Sequence, residues 1–125
     1  MTATVRPPVG NGERHNAALG GFGENRAALH YRAQGYEVLQ RNWRCGVGEI
    51  DLICAKGLLL VVCEVKARTG SVHGHPLEAV TAPKQRRLRR LAALYLQQQG
   101  RRWADVRFDV AAVLDGILEV LEGAF

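Results

Sequence analysis

The sequence predicts a single α/β domain whose elements follow the order α-β-β-β-α-β-β. Three observations carry that expectation. Apolar residues recur at helical spacing over residues 23–34 and again after Thr81. Runs rich in Val, Ile and Leu, bounded by glycine-containing turns, lie between and beyond those segments. The length, 125 residues, suits one domain with a real core.

Residues 1–16 contain Pro7-Pro8 and several polar side chains but no apolar signal core, so they read as a disordered tail ahead of one domain over 17–125. In the first helix Glu24, Ala27, Ala28 and Tyr31 fall at i, i+3, i+4 and i+7 and share one buried face. Gly35 suits the C-cap, with Tyr36 packing back. Residues 36–44 read as a strand that ends in the turn Cys45-Gly46-Val47-Gly48. Two apolar, β-branched runs follow, joined through Lys56-Gly57. Residues 67–78 hold Gly70, Gly74 and Pro76 and read as a loop. Thr81 can cap the second helix, Pro83 is tolerated in its first turn, and Leu88, Leu91, Ala92 and Tyr95 form its apolar face. That helix ends at Gly100. Residues 106–114 form the next strand, Asp115-Gly116 a type I′ turn, and residues 117–121 the returning strand.

The two central apolar runs carry the chemistry. Glu49, Asp51, Glu64 and Lys66 sit inside them, where charge is costly unless it is paired or holds a cation. Alternation puts Glu64 and Lys66 on one face with Leu60 and Val62. With Lys56-Gly57 as a two-residue loop, Ala55 opposes Leu58, Asp51 opposes Val62, and Glu49 opposes Glu64. All four charged side chains then project from one surface, and the opposed Glu49 and Glu64 would repel without a cation.

Asp51 and Glu64, with the main-chain oxygen of Val65, make a hard-oxygen set suited to Mg²⁺ or Mn²⁺. Such a site favours phosphodiester hydrolysis, and Lys66 beside it can orient water or offset charge at phosphorus. The competing reading is a solvated hairpin with a Glu64–Lys66 surface pair. Glu24 can reach the metal or simply favour the start of its helix, and Glu49 is either an outer ligand or the salt-bridge partner of an arginine. Lys84 and Gln85 open the second helix and can hold a phosphate or the attacking water. Arg86, Arg87, Arg89 and Arg90 point outward, able to track a phosphate backbone or to form a plain solvated face. His73 and His75 lack a soft-ligand set around them and are given a structural or substrate-contact role. Trp43 and Trp103 can stack on bases, though core burial is the simpler reading.

Composition bounds the rest. A net charge of +5 suits a polyanionic partner, and Arg86 to Arg102 concentrates much of it. Cys45, Cys54 and Cys63 are an odd set without a CxxC pair, so neither a disulfide framework nor a zinc site is expected, and Cys54 and Cys63 read as small core residues. No apolar run spans a bilayer, so no membrane partner and a cytoplasmic setting are expected. There is no phosphate-cradling P-loop and no GxSxG elbow.

Together these residues resemble the YraN-like family, a group of inferred endonucleases similar to archaeal Holliday-junction resolvases within the PD-(D/E)xK nuclease superfamily. The resemblance covers about Gly20 to Phe125: Gly23-Glu24-Asn25, Arg41-Asn42-Trp43-Arg44, Gly48 to Ile53, Glu64 to Arg68, Ala79-Val80-Thr81 with Lys84-Gln85-Arg86, Arg107 to Val110, and Gly123-Ala124-Phe125. Ile50, not proline, precedes Asp51 in the first core motif. The resemblance implies a restriction-endonuclease-like core, a mixed central sheet flanked by helices. It also implies a Mg²⁺ or Mn²⁺ cofactor, Asp51, Glu64 and Lys66 in the core nuclease positions, Glu24 as the helical acid, and Gln85 as the helix-borne glutamine. The expected function is therefore metal-dependent endonucleolytic cleavage of DNA, on branched or damaged structures, with a two-fold dimer suiting a junction. The alternatives are a nucleic-acid-binding module that keeps the fold without turnover, and an adaptor whose basic helix meets an acidic partner.

Overall fold

A computed structural model describes residues 11–68 and 80–125, with side chains described over 21–67 and 80–125. Its elements are α1 (Asn11–Ala33), β1 (Glu37–Cys45), β2 (Gly48–Lys56), β3 (Leu59–Arg68), α2 (Ala82–Gln98), β4 (Asp105–Leu114) and β5 (Ile117–Leu121). The order matches the sequence reading. One five-stranded sheet runs β1-β2-β3-β4-β5. β3 and β4 pair in parallel, which the α2 crossover permits, and the other neighbours are antiparallel. This mixed sheet flanked by two helices is consistent with a restriction-endonuclease-like core.

Each helix covers one face. Ala27, Ala28 and Tyr31 of α1 pack on Leu52, Cys54, Val61 and Cys63. Leu88, Leu91, Ala92 and Tyr95 of α2 pack with Ile50, Ile53, Leu60 and Val62. Alternation along β3 separates the two sets, with Val61 and Cys63 toward α1 and Leu60 and Val62 toward α2. Cys54 and Cys63 are buried and free, as their apolar surroundings suggested.

Local signals account for the element ends. Tyr36 N–H donates to Tyr31 O at 2.9 Å and Gly35 N–H to Arg32 O at 3.0 Å, a Schellman cap with Gly35 at φ +87°. Thr81 is the N-cap of α2, its Oγ1 accepting from Lys84 N–H at 3.4 Å. Asp115 and Gly116 both take positive φ, +48° and +83°, as a type I′ turn requires.

Two expectations need correction. The backbone of α1 starts at Asn11, so residues 11–16 of the expected tail are helical, while 1–10 lie outside the described residues. Little apolar periodicity marks that first half, and Gly20, Gly21 and Gly23 argue against a helix by propensity. The β2–β3 register also differs. The turn is Gly57-Leu58, so Lys56 opposes Leu59 and Leu52 opposes Cys63. Gly57 supplies φ +59°, and Lys56 stays in the strand, donating to Gln34 O at 2.9 Å with its ammonium over the Tyr36 ring. The shift is two residues, so face assignments survive, but Glu49 no longer opposes Glu64. Glu49 instead sits across from Arg44 on β1 and forms an ion pair with it.

Candidate metal and phosphodiester site

The β2–β3 ladder ends at Leu52–Cys63, one step short of Asp51 and Glu64. Beyond that point Val65 N–H donates to Asp51 Oδ2 at 2.9 Å, so a side chain takes the place of a strand carbonyl. The strand bends there. Ile50 and Ile53 both join the α2-side core, which strict alternation would forbid for residues three apart. Asn42 on the neighbouring strand takes φ +53°, a conformation Asn tolerates, close to the same break.

The break opens a cleft of about 260 Å³ lined by Gly48, Glu49, Asp51, Glu64, Lys84, Arg87 and Leu88. Glu64 is buried on its floor and Asp51 is half-buried beside it. Two ammoniums converge on Glu64 Oε2. Lys66 Nζ lies at 3.3 Å, and Lys84 Nζ makes a closer contact from the first turn of α2. Gly48 stands at the rim with φ +156°, a conformation that favours glycine, and a Cβ there would meet Leu91 Cδ1 at 3.6 Å and Arg87 Cδ at 3.7 Å.

Electrostatics divides the acids. Burial and the charge of Glu64 push the Asp51 carboxyl up to about 8, against the Val65 N–H, which favours the carboxylate. Burial alone would raise Glu64 too, but the hydrogen bond and charge of Lys84, helped by Asp51 and Lys66, hold it below its ordinary value. A proton shared between the two carboxyls therefore rests on Asp51. Burial and the nearby Lys84 lower the Lys66 ammonium more than Glu64 raises it. Lys84 is raised because its contact with Glu64 outweighs its own burial.

Two carboxyls brought together, with two ammoniums on Glu64, offer hard oxygens suited to a dication that retains several waters. No group of three or more His, Cys, Asp or Glu side chains is gathered for a metal among the described residues. Glu24 remains outside such a group. It is buried on α1, accepting from Asn42 Nδ2 at 2.9 Å with Arg41 Nη2 at 3.8 Å, and it reaches Asp51 through its charge. No described helix is long and apolar enough to cross a membrane.

Comparison with known proteins decides the family. A family model described as "Uncharacterised protein family UPF0102" matches residues 23–113. The chain belongs to the UPF0102 family. A UPF0102 protein of Rhodococcus jostii is 52% identical over 102 residues, covering 82% of this chain and 86% of its own. Another, from Acidothermus cellulolyticus, is 46% identical over 123 residues, covering 86% and 93%. A third, from Nocardioides, is 50% identical over 97 residues, with 78% of each covered.

Within this UPF0102 chain, Asp51, Glu64 and Lys66 come together as strand alternation suggested, and Lys84, expected only to hold a phosphate or water from the second helix, joins them at Glu64. Gln85 does not line the cleft; its Nε2 donates to Val80 O at 3.0 Å and secures the entry to α2. All four arginines of α2 are exposed, as the outward reading expected. Arg87 also lines the cleft, and Arg89 lies over the rings of Phe108 and Phe125 at 4.8 and 5.6 Å. Arg87 was expected to track a phosphate backbone, but helical spacing alone does not show that it lines the cleft beside Gly48 at the start of β2. Trp43 is buried edge-on to Tyr95, and Trp103 is half-buried under Arg101. His73 and His75 lie outside the described residues.

Proposed function

We propose that this chain is a divalent-metal-dependent endonuclease of the PD-(D/E)xK superfamily, hydrolysing DNA phosphodiester bonds in the cytoplasm, with branched or damaged DNA as its preferred form. One observation carries the reading. Asp51 and Glu64 share a cleft with Lys84 and Arg87, and Lys66 pairs with Glu64 at 3.3 Å, an arrangement a buried hairpin has no structural need to build.

In this reading Asp51 and Glu64, with the Val65 main-chain oxygen, hold Mg²⁺ or Mn²⁺, and Glu24 tunes them through its charge. When bound, the cation supplies Lewis acidity toward the phosphodiester. Lys66 stays beside Glu64 and offsets negative charge developing at phosphorus. Arg87 at the cleft, with Arg86 and Arg90 on the same helix, orients the DNA backbone. Gln85 positions the start of α2 through Val80 O. A pair of such chains suits a two-fold junction.

The test is a panel of plasmid, duplex, flap, single-stranded and four-way DNA incubated with Mn²⁺. Native protein is expected to cut at least one, and Lys66→Ala to lose cutting while keeping DNA affinity. The Lys84 ammonium already seated against Glu64 favours a second reading, a binding module without turnover. Retention of DNA with no cleavage on any substrate selects that module.

A further inference from the structure

We propose that Lys84 is a displaceable counter-ion: its ammonium occupies the cation's place against Glu64, and a divalent cation enters the cleft only by expelling it. The inference rests on the metal-binding reading above.

Charge balance is the first ground. Asp51 and Glu64 already share the cleft with Lys84 and Arg87, and Lys66 also pairs with Glu64. A dication added to that set, with nothing leaving, would build excess positive charge in a half-enclosed site. Both ammoniums also claim the same oxygen, Glu64 Oε2, which leaves that oxygen less available to a metal.

Position selects which lysine leaves. Lys66 is carried by β3, where it is paired in the parallel ladder with Ala112. Lys84 instead projects from the first turn of α2, three residues after the Thr81 cap. A helix start favours negative charge, and the first turn of α2 has no acid, so its own helix does nothing to hold the Lys84 ammonium. Glu64 is the group that draws it inward. The Lys84 and Lys66 side chains are 24% and 27% exposed, against 6% for Glu64, so exposure gives either lysine a path to solvent and the choice between them rests on the element that carries each. Breaking a local electrostatic rule at a cleft is the pattern expected of a functional residue.

The consequence is that cation binding is an exchange, weakened by the fraction of molecules in which Lys84 holds the site. Calorimetric titration of metal-free protein with MnCl₂ tests this. Lys84→Met is expected to bind Mn²⁺ roughly tenfold or more tightly than native protein, and Lys84→Arg to bind as native does. Binding by Lys84→Met where native binding is too weak to register supports the same conclusion. Equal or weaker binding in Lys84→Met overturns the exchange and leaves the metal site standing. No binding by native protein or either variant overturns both. Should Lys84→Met fail to fold, the native chain decides: with ¹⁵N-labelled lysine, the Lys84 Nζ signal should shift as MgCl₂ saturates. A fixed Lys84 signal at saturation overturns the proposal.

Discussion

At Asp51 a backbone N–H 2.9 Å from Oδ2 favours the carboxylate, while burial and Glu64 favour the acid strongly enough to raise it to about 8. An acid raised in the folded state binds more protons there than in the unfolded chain between the two values. Metal-free stability should therefore fall as pH rises from about 4 toward 8 and level off above that. Asp51→Asn removes the penalty, so its advantage over native protein should grow across that window and exceed about 1 kcal/mol above pH 8. Urea titrations at several pH values in chelator check this; an Asn variant equally stable at every pH would contradict it. Asp51, Glu64 and Lys66 were legible in the sequence because strand alternation survives a two-residue change of register. Glu49 was legible in part: of its two readings, outer ligand or salt-bridge partner of an arginine, the second holds, with Arg44 directly across the β1–β2 pair. The ring contacts of Arg89 were hidden, because its partners Phe108 and the terminal Phe125 are remote in sequence.

Between elements, Asp109 on β4 is the principal polar tie. It is fully buried and accepts from Tyr31 on α1 at 2.6 Å, from Arg107 through both oxygens at 2.9 Å, and from Gly123 N–H at 3.0 Å. Its removal leaves Tyr31 OH and a guanidinium without their acceptor, so Asp109→Ala should cost about 3–5 kcal/mol, and Tyr31→Phe about 1 kcal/mol. Chemical denaturation measures both, and an Asp109→Ala loss under 1 kcal/mol would contradict the role. The sequence placed Asp109 in a closing strand but gave no hint of a partner 78 residues away. Gly23 is a further inter-element contact. A Cβ there would meet Ala67 Cβ and Val65 Cγ1 at 3.1 Å, just where α1 crosses the end of β3. Alanine would set a helix-propensity gain of up to about 1 kcal/mol against that crowding. Valine adds bulk without the gain, so Gly23→Val should lose about 2 kcal/mol and displace Glu24, the next residue, from Asn42. Native-like stability in Gly23→Val would show that the approach is looser than these distances.

Across the whole molecule, the net charge of +5 is less available than a count of arginines suggests. Arg89 covers aromatic rings, Arg101 donates to Gly57 O at 2.9 Å and lies over Trp103, and Arg107 is bound to Asp109. The exposed Arg86 and Arg90, continuous with Arg87 at the cleft, define a narrower surface. Replacing Arg86 and Arg90 by alanine should therefore weaken DNA binding and reduce its log–log salt slope by about 1 to 2, with little change in Tm. An unchanged slope in fluorescence titrations would move the DNA surface elsewhere. The α-β-β-β-α-β-β order was readable because turn and cap residues such as Gly35, Thr81 and Asp115-Gly116 punctuate the chain. The cleft itself was not, since it depends on where β2 leaves β3. The most direct test of the proposed metal site is thermal melting of native protein and Asp51→Asn with and without millimolar Mg²⁺ or Mn²⁺. A cation-dependent rise in Tm for native protein that vanishes in Asp51→Asn is the predicted result; no rise, or the same rise in both, would contradict it.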